Sequence, residues 1–178
     1  MITIGMLLRQ ELSGLEVDSK AVGIDFGTQK GLVQFIQDKA RSQQRTFPLI
    51  WCVIDSYDDI GDQYRAKARF FLFHNTKADF KNLDRFEETY GRILNPLYET
   101  LKAKLISSRN INIEMPIREA FKNIIDADNY GVDFVKNELT KESADFSSTA
   151  VKQSTAIAQT YLDAKFFDLT ILINKKLC

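Results

Sequence analysis

Arg65, Lys67 and Arg69 recur at every second position, so in a strand their charges share one face at a spacing of about 7 Å. Such a row could follow a phosphate backbone or meet an acidic partner. It is equally what the wet face of a sheet covered only on its other side carries. Just upstream stand Asp55, Asp58, Asp59 and Asp62, carboxylates of the kind that take up hard cations. They lack EF-hand spacing, and Gly61 sits where that loop does not place a glycine. Composition makes residues 55–62 a solvated loop between strands. An acidic loop beside a basic row also suits docking between copies of the chain. His74 is the single histidine, and Cys52 the only thiol with a prospect of reaching it. Cys52, however, lies in an apolar run, where a thiol is a small core residue. Cys178, the last residue, is either a reactive thiol or one buried at a strand end. Glu87, Glu88 and Glu99 fit the polar side of a helix and form no catalytic pair. The expectation is a chain without catalytic residues, metal or cofactor, whose function rests on surfaces.

One motif stands against that. Val22-Gly23-Ile24-Asp25-Phe26-Gly27-Thr28 resembles the first phosphate loop of the actin and Hsp70-type ATPases. There glycine lets backbone amides approach a phosphate, and a carboxylate orients metal-bound water. Those ATPases need two related lobes, a second phosphate loop and a further strand after this one. Here 178 residues leave no room for both lobes, no second loop follows, and a helical pattern begins instead. A small nucleotide-binding or enzyme domain using Asp25-Phe26-Gly27-Thr28 is therefore an alternative reading.

The elements that would hold these groups follow from hydrophobic period. Ile4, Leu7, Leu8, Leu12 and Leu15 predict a short amphipathic helix ending near Gly14. Residues 21–28 are a brief strand or extended loop, and 30–44 a helix. Residues 49–54 are apolar at every position, as in a strand covered on both faces. Residues 64–74 alternate, giving the antiparallel partner that carries the basic row. Leu83, Phe86, Tyr90, Ile93, Leu94, Leu97, Leu101 and Leu105 step by three and four. Pro96 makes this either one kinked helix or two that meet near Asn95. Residues 110–115 read as a strand, and Ile117, Phe121, Ile124 and Ile125 as a short helix. Residues 126–160 thin out in apolar content and predict a long polar excursion, an arm ordered on assembly. Residues 166–173 return as a last strand, with Phe167, Leu169, Ile171 and Ile173 on one face. The prediction is a single α+β domain over 1–178, with a largely antiparallel sheet and helices mainly on one face.

Composition bounds the rest. Twenty-four basic and 24 acidic residues cancel, which argues against a generic nucleic-acid binder. No run approaches the roughly 20 apolar residues of a bilayer span, and the first residues lack the pattern of a secretory signal. A soluble, intracellular chain with no membrane partner is expected.

Several stretches together resemble small tail-completion and head-to-tail connector proteins, the neck ring proteins of tailed bacteriophages of Bacteroidota-like hosts. They are Phe47-Pro48-Leu49-Ile50-Trp51, then Phe71-Leu72-Phe73-His74-Asn75-Thr76, then Asn82, Arg85-Phe86-Glu87 and Tyr90. Ile93-Leu94-Asn95-Pro96-Leu97-Tyr98 and a final strand running into Cys178 complete the likeness, which covers about half of the chain. It implies a structural virion protein made in the host cytoplasm, a ring subunit between portal and tail, with other neck proteins as partners. In such a ring Arg65, Lys67 and Arg69 would face genomic DNA in the lumen or the acidic residues of the next copy. Residues 126–160 are longer and more polar than that family's pattern. A cellular adaptor or scaffold is a further alternative.

Overall fold

The apolar run from residue 49 and the alternation up to residue 75 build two long antiparallel strands, β4 (Leu49–Ile60) and β5 (Gln63–Asn75). The computed structural model describes residues 3–41, 47–76, 80–127 and 162–175. Gly61 and Asp62 close the hairpin, and Gly61 takes φ 68°, the left-handed value that a two-residue turn with glycine first requires. The last strand, β8 (Leu162–Asn174), pairs with β5 along its whole length, from Gln63 opposite Asn174 to Asn75 opposite Leu162. On the far side of β4, β3 (Gly23–Phe26) runs parallel to it, pairing only with Leu49 to Cys52. On the far side of β8 lie β6 (Ile111–Ile113) and β7 (Ile124–Ala127), both antiparallel to it. The sheet order is thus β3-β4-β5-β8-β6, with β7 also on β8. A separate pair, β1 (Glu16–Val17) and β2 (Lys20–Ala21), turns through Asp18 and Ser19, both at positive φ.

Period two sends the side chains of these strands to two cores. Ile50 and Cys52 of β4, Ala66, Ala68, Phe70 and Leu72 of β5, and Phe167, Leu169, Ile171 and Ile173 of β8 point to one face. There they meet α1 (Ile4–Glu11) through Leu7 and Leu8, and a long helical rod through Ile93, Leu94, Leu97 and Leu101. Thr3 caps α1, its hydroxyl accepting from the Met6 N–H at 3.2 Å. Among the described residues the opposite face is covered over one half. Leu32 and Ile36 of α2 (Gln29–Arg41) pack on Leu49, Trp51, Phe71, Phe73, Leu162 and Ala164. This helix makes the crossover that the parallel β3–β4 pair requires. The fold is α+β, a mostly antiparallel sheet with helices chiefly on one side.

The rod is continuous. One α turn, α3 (Asn82–Asp84), leads into a π-helical segment (Arg85–Leu94) and then α4 (Asn95–Ser107). Leu94 and Asn95 keep helical dihedrals, φ −71° and ψ −38°, φ −69° and ψ −48°, so there are not two helices meeting at an angle of free chain. The Asn95 N–H still donates to Tyr90 O, five residues back. The change from π to α winding falls one residue before Pro96. In a regular helix a proline there would remove a donor and crowd the carbonyl four residues back.

Two expectations are corrected. Residues 55–60 are not a loop: they continue β4 past a bulge at Asp55, with Ser56 opposite Lys67 and Ile60 opposite Gln63. Polar composition mimics a loop because this part of the hairpin is exposed, and the β5 ladder holds it extended all the same. Second, Ile124 and Ile125 are not helical. After α5 (Ile117–Ala120) the chain straightens into β7, because β8 offers an open edge to pair with. The 126–160 arm, apart from Asp126 and Ala127 in β7, and Cys178 lie outside the described residues.

Leu97 is fully buried between the rod and the sheet, whereas Leu83, at the start of the rod, is 66% exposed. Leu97→Ala is expected to lower unfolding free energy by about 2–5 kcal/mol, and Leu83→Ser by less than about 0.5 kcal/mol. Urea titration followed by circular dichroism checks both.

Candidate interaction surface

The odd-numbered side chains of β5 leave the shelter of α2 after Phe71, and from there outward they are Arg69, Lys67 and Arg65. The predicted common face exists, but it is not a row of bare cations. Arg69 stands opposite Asp168 of β8 and grips it with two bonds, Nε donating to Oδ1 at 2.7 Å and Nη2 to Oδ2 at 3.3 Å. Asp55 Oδ2 lies 4.0 Å from the same guanidinium. Arg65 Nη2 meets Glu114 Oε1 at 2.6 Å and has Asp58 as its cross-strand neighbour. Lys67 is exposed between Ser56 and Thr170 and makes no ion pair among the described residues. An open cleft of about 340 Å³ runs beside it, its walls including Arg69, Asp168, Thr170, Met115 and Leu169. Three cations thus sit among four carboxylates, Asp55, Asp58, Glu114 and Asp168.

Strand alternation also divides the acidic residues. Asp58 shares the face of Arg65, while Asp59, opposite Tyr64, turns to the other face and bonds the Lys175 ammonium. Asp62 lies in the turn, and its carbonyl accepts from the Lys175 N–H at 3.0 Å. Among the described residues no group of three or more His, Cys, Asp or Glu is placed to hold a metal ion.

The groups of the phosphate-loop motif are engaged locally. Asp25 Oδ1 accepts from the Phe26 N–H at 3.0 Å and lies 3.9 Å from Arg9 Nη1. The Thr28 hydroxyl accepts from the Gly31 N–H at 3.0 Å, so it caps α2. Gly27, at φ 156°, leaves space for an indole: a Cβ there would fall 2.9 Å from Trp51 Cζ2. Its glycine is explained by packing. Cys52 is buried opposite Phe70, four ladder steps from the position opposite His74, so thiol and imidazole are not brought together. Burial, with Asp55 adding to it, pushes the Cys52 thiol far above its ordinary range.

Sequence reading missed a buried ionic pair. Arg85 Nη1 donates to Asp163 Oδ1 at 2.7 Å, with the two side chains 8% and 0% exposed. It fastens the start of the π segment to β8, and Arg85 Nε also donates to Phe80 O at 3.3 Å. Two positions along β8, buried Lys165 meets Asp126 of β7 at 2.6 Å and lies 5.8 Å from the centre of the Tyr98 ring. Burial beside these groups, with Glu99 adding to it, pushes the Tyr98 hydroxyl up to about 12. No local pattern flags Arg85 and Asp163, which are 78 residues apart. No family model, curated protein or solved structure matches this chain.

Removing one partner of a buried pair leaves the other charge uncompensated. Arg85→Met is expected to cost about 3–5 kcal/mol, and the Arg85→Met/Asp163→Leu double variant to recover most of it. Arg69→Met, at a solvated pair, is expected to cost less than about 1 kcal/mol. Urea unfolding of the three variants is the check.

The Cys52 thiol yields a second expectation. Its pKa is raised on folding, so above the unfolded value of 9.0 the unfolded chain loses a proton that the native chain keeps. Stability then falls with rising pH at up to about 1.4 kcal/mol per unit. This contribution is full below pH 9 and is lost going upward. In a Cys178→Ser background, the difference in slope between Cys52 and Cys52→Ala chains, measured from pH 8 to 10.5, is the test. The same thiol should react with a thiol reagent only on unfolding.

Proposed function

We propose that this chain is a structural virion protein of a tailed phage, a neck or tail-completion ring subunit joining portal and tail. The observation that carries this reading is the outer half of the β4–β5–β8 platform. Three strands of 12 and 13 residues, backed by a continuous core, present a stiff surface on which cations and carboxylates interleave. A DNA-facing stripe needs positive charge in excess. Arg65, Lys67 and Arg69 among Asp55, Asp58, Glu114 and Asp168 instead suit a protein neighbour of matching pattern, such as the next copy or an adjoining neck protein. Of the two placements open for the basic row, the subunit interface is favoured over the DNA-lined lumen. The likeness to neck proteins over about half of the sequence supports the same reading. Among the described residues no helix is long and apolar enough to cross a membrane.

The nucleotide-binding alternative rests on Asp25, Gly27 and Thr28, which are occupied with Phe26, Trp51 and Gly31. Calorimetric titration with ATP and Mg²⁺ is expected to give no heat, and binding would revive that alternative. A cellular adaptor would use the same surfaces. Genes for portal, capsid and tail proteins on either side separate the virion reading from it.

Light scattering with negative-stain imaging, on the full chain alone and with purified portal and tail neighbours, is the direct test. A closed ring is the expected outcome. A monomer that stays monomeric with those neighbours present overturns the proposal. Reversal of Arg65, Lys67 and Arg69 to Glu is expected to stop assembly, whereas loss of DNA retention in otherwise intact particles would return the row to the lumen.

A further inference from the structure

Among the described residues the sheet has two edges that differ in unspent charge. β3 covers only Leu49 to Cys52, so beyond it residues 55–60 of β4 are paired on one side alone, with β5, among the described residues. All six are exposed, which gives about 20 Å of strand edge with unspent backbone donors and acceptors. Asp58 on this edge and Asp62 at its end have no ion pair among the described residues, and Tyr57 is 61% exposed. At the other side of the sheet, β6, α5 and β7 form the border of β8. There Arg109, Arg118, Lys122 and Glu119 are exposed and without an ion pair among the described residues, while Glu114 and Asp126 of the same border are taken up by Arg65 and Lys165, so the unspent charge is basic. Ile117 and Ile125 are 47% and 52% exposed beside them.

We infer that the occupant of the acidic β4 edge is the basic β6–α5–β7 border of a second copy of this chain, so that the sheet continues from subunit to subunit. Charge complementarity selects the pairing. Two β4 edges brought together would set Asp58 and Asp62 against the same residues, and two basic borders would set Arg118 and Lys122 against theirs. Both symmetric, self-paired dimers are disfavoured, and the acidic-to-basic contact is what remains. A contact between two different patches repeats head to tail, closing into a ring where the rotation allows. The inference rests on the ring reading above and adds an edge contact to the face contact proposed there.

Two charge-reversed chains test it. One carries Asp58→Lys and Asp62→Lys, making both borders basic, and the other Arg118→Glu and Lys122→Glu, making both acidic. Each alone is expected to associate on the order of 100-fold more weakly than the unaltered chain. An equimolar mixture is expected to regain assembly, because every border then meets its opposite. Rescue in the mixture also shows that both variants are folded, which circular dichroism checks independently. Self-association is read by light scattering over a concentration series at low and high salt. If the unaltered chain assembles and the reversals neither weaken nor rescue it, the edge contact is wrong while the ring reading stands. If the unaltered chain stays monomeric at every concentration and with portal and tail neighbours, both fail.

Discussion

Everything in this fold depends on β5 being paired on both sides. β8 fixes its register at all 13 positions and β4 from Gln63 to Phe73, and a one-residue slip would turn every side chain to the wrong face. That constraint sends Ala66, Ala68, Phe70 and Leu72 into the main core. It sends Phe71 and Phe73 under α2, and Arg69, Lys67 and Arg65 out beyond the reach of that helix. The second core and the charged surface are successive stretches of one side of one strand, separated only by where α2 ends its cover.

The same ladder decides the electrostatics. Cross-strand register brings Asp168 to Arg69, and the end of β6 brings Glu114, the next residue, to Arg65. Solvated pairs such as these contribute little to stability. Their effect is on recognition, since they turn a row of cations into a mixed pattern that discriminates between neighbours. The buried Arg85–Asp163 pair acts differently. Its two charges are cut off from water and hold the rod against β8, so its integrity matters to the fold more than to any partner. Arg92 makes a solvated counterpart on the outer side of the rod, reaching Asp18 at 3.0 Å in the β1–β2 turn and Glu88 at 3.4 Å.

Much of this was legible in the residues. The amphipathic period of residues 4–15 and 83–105, the alternation of 64–74 and the apolar run at 49–54 specified elements that the structure contains. Those signals are strong because half-buried helices and strands must repeat with the period of their own geometry. The common face of Arg65, Lys67 and Arg69 followed from the same rule. Residues 55–60 and 124–127 escaped it. Their strand character comes from a partner, β5 or β8, whose backbone groups they complete, and their own composition says little.

By itself the sequence determined which strand would carry the basic row and that its charges sum to zero, whereas Leu83 and Phe86, on the apolar period of the rod, are each 66% exposed. Only the tertiary structure decided which carboxylate meets which cation, that Asp58 and Asp59 face opposite ways, and that the Gly27 position is filled by an indole. It also placed Arg85 on Asp163 across 78 residues of chain. The physical reason is the range of the signals. Periodicity is local and survives in the order of residues, whereas ion pairs, open edges and burial depend on strand order and register. Those are set by cooperative packing of segments far apart in the chain.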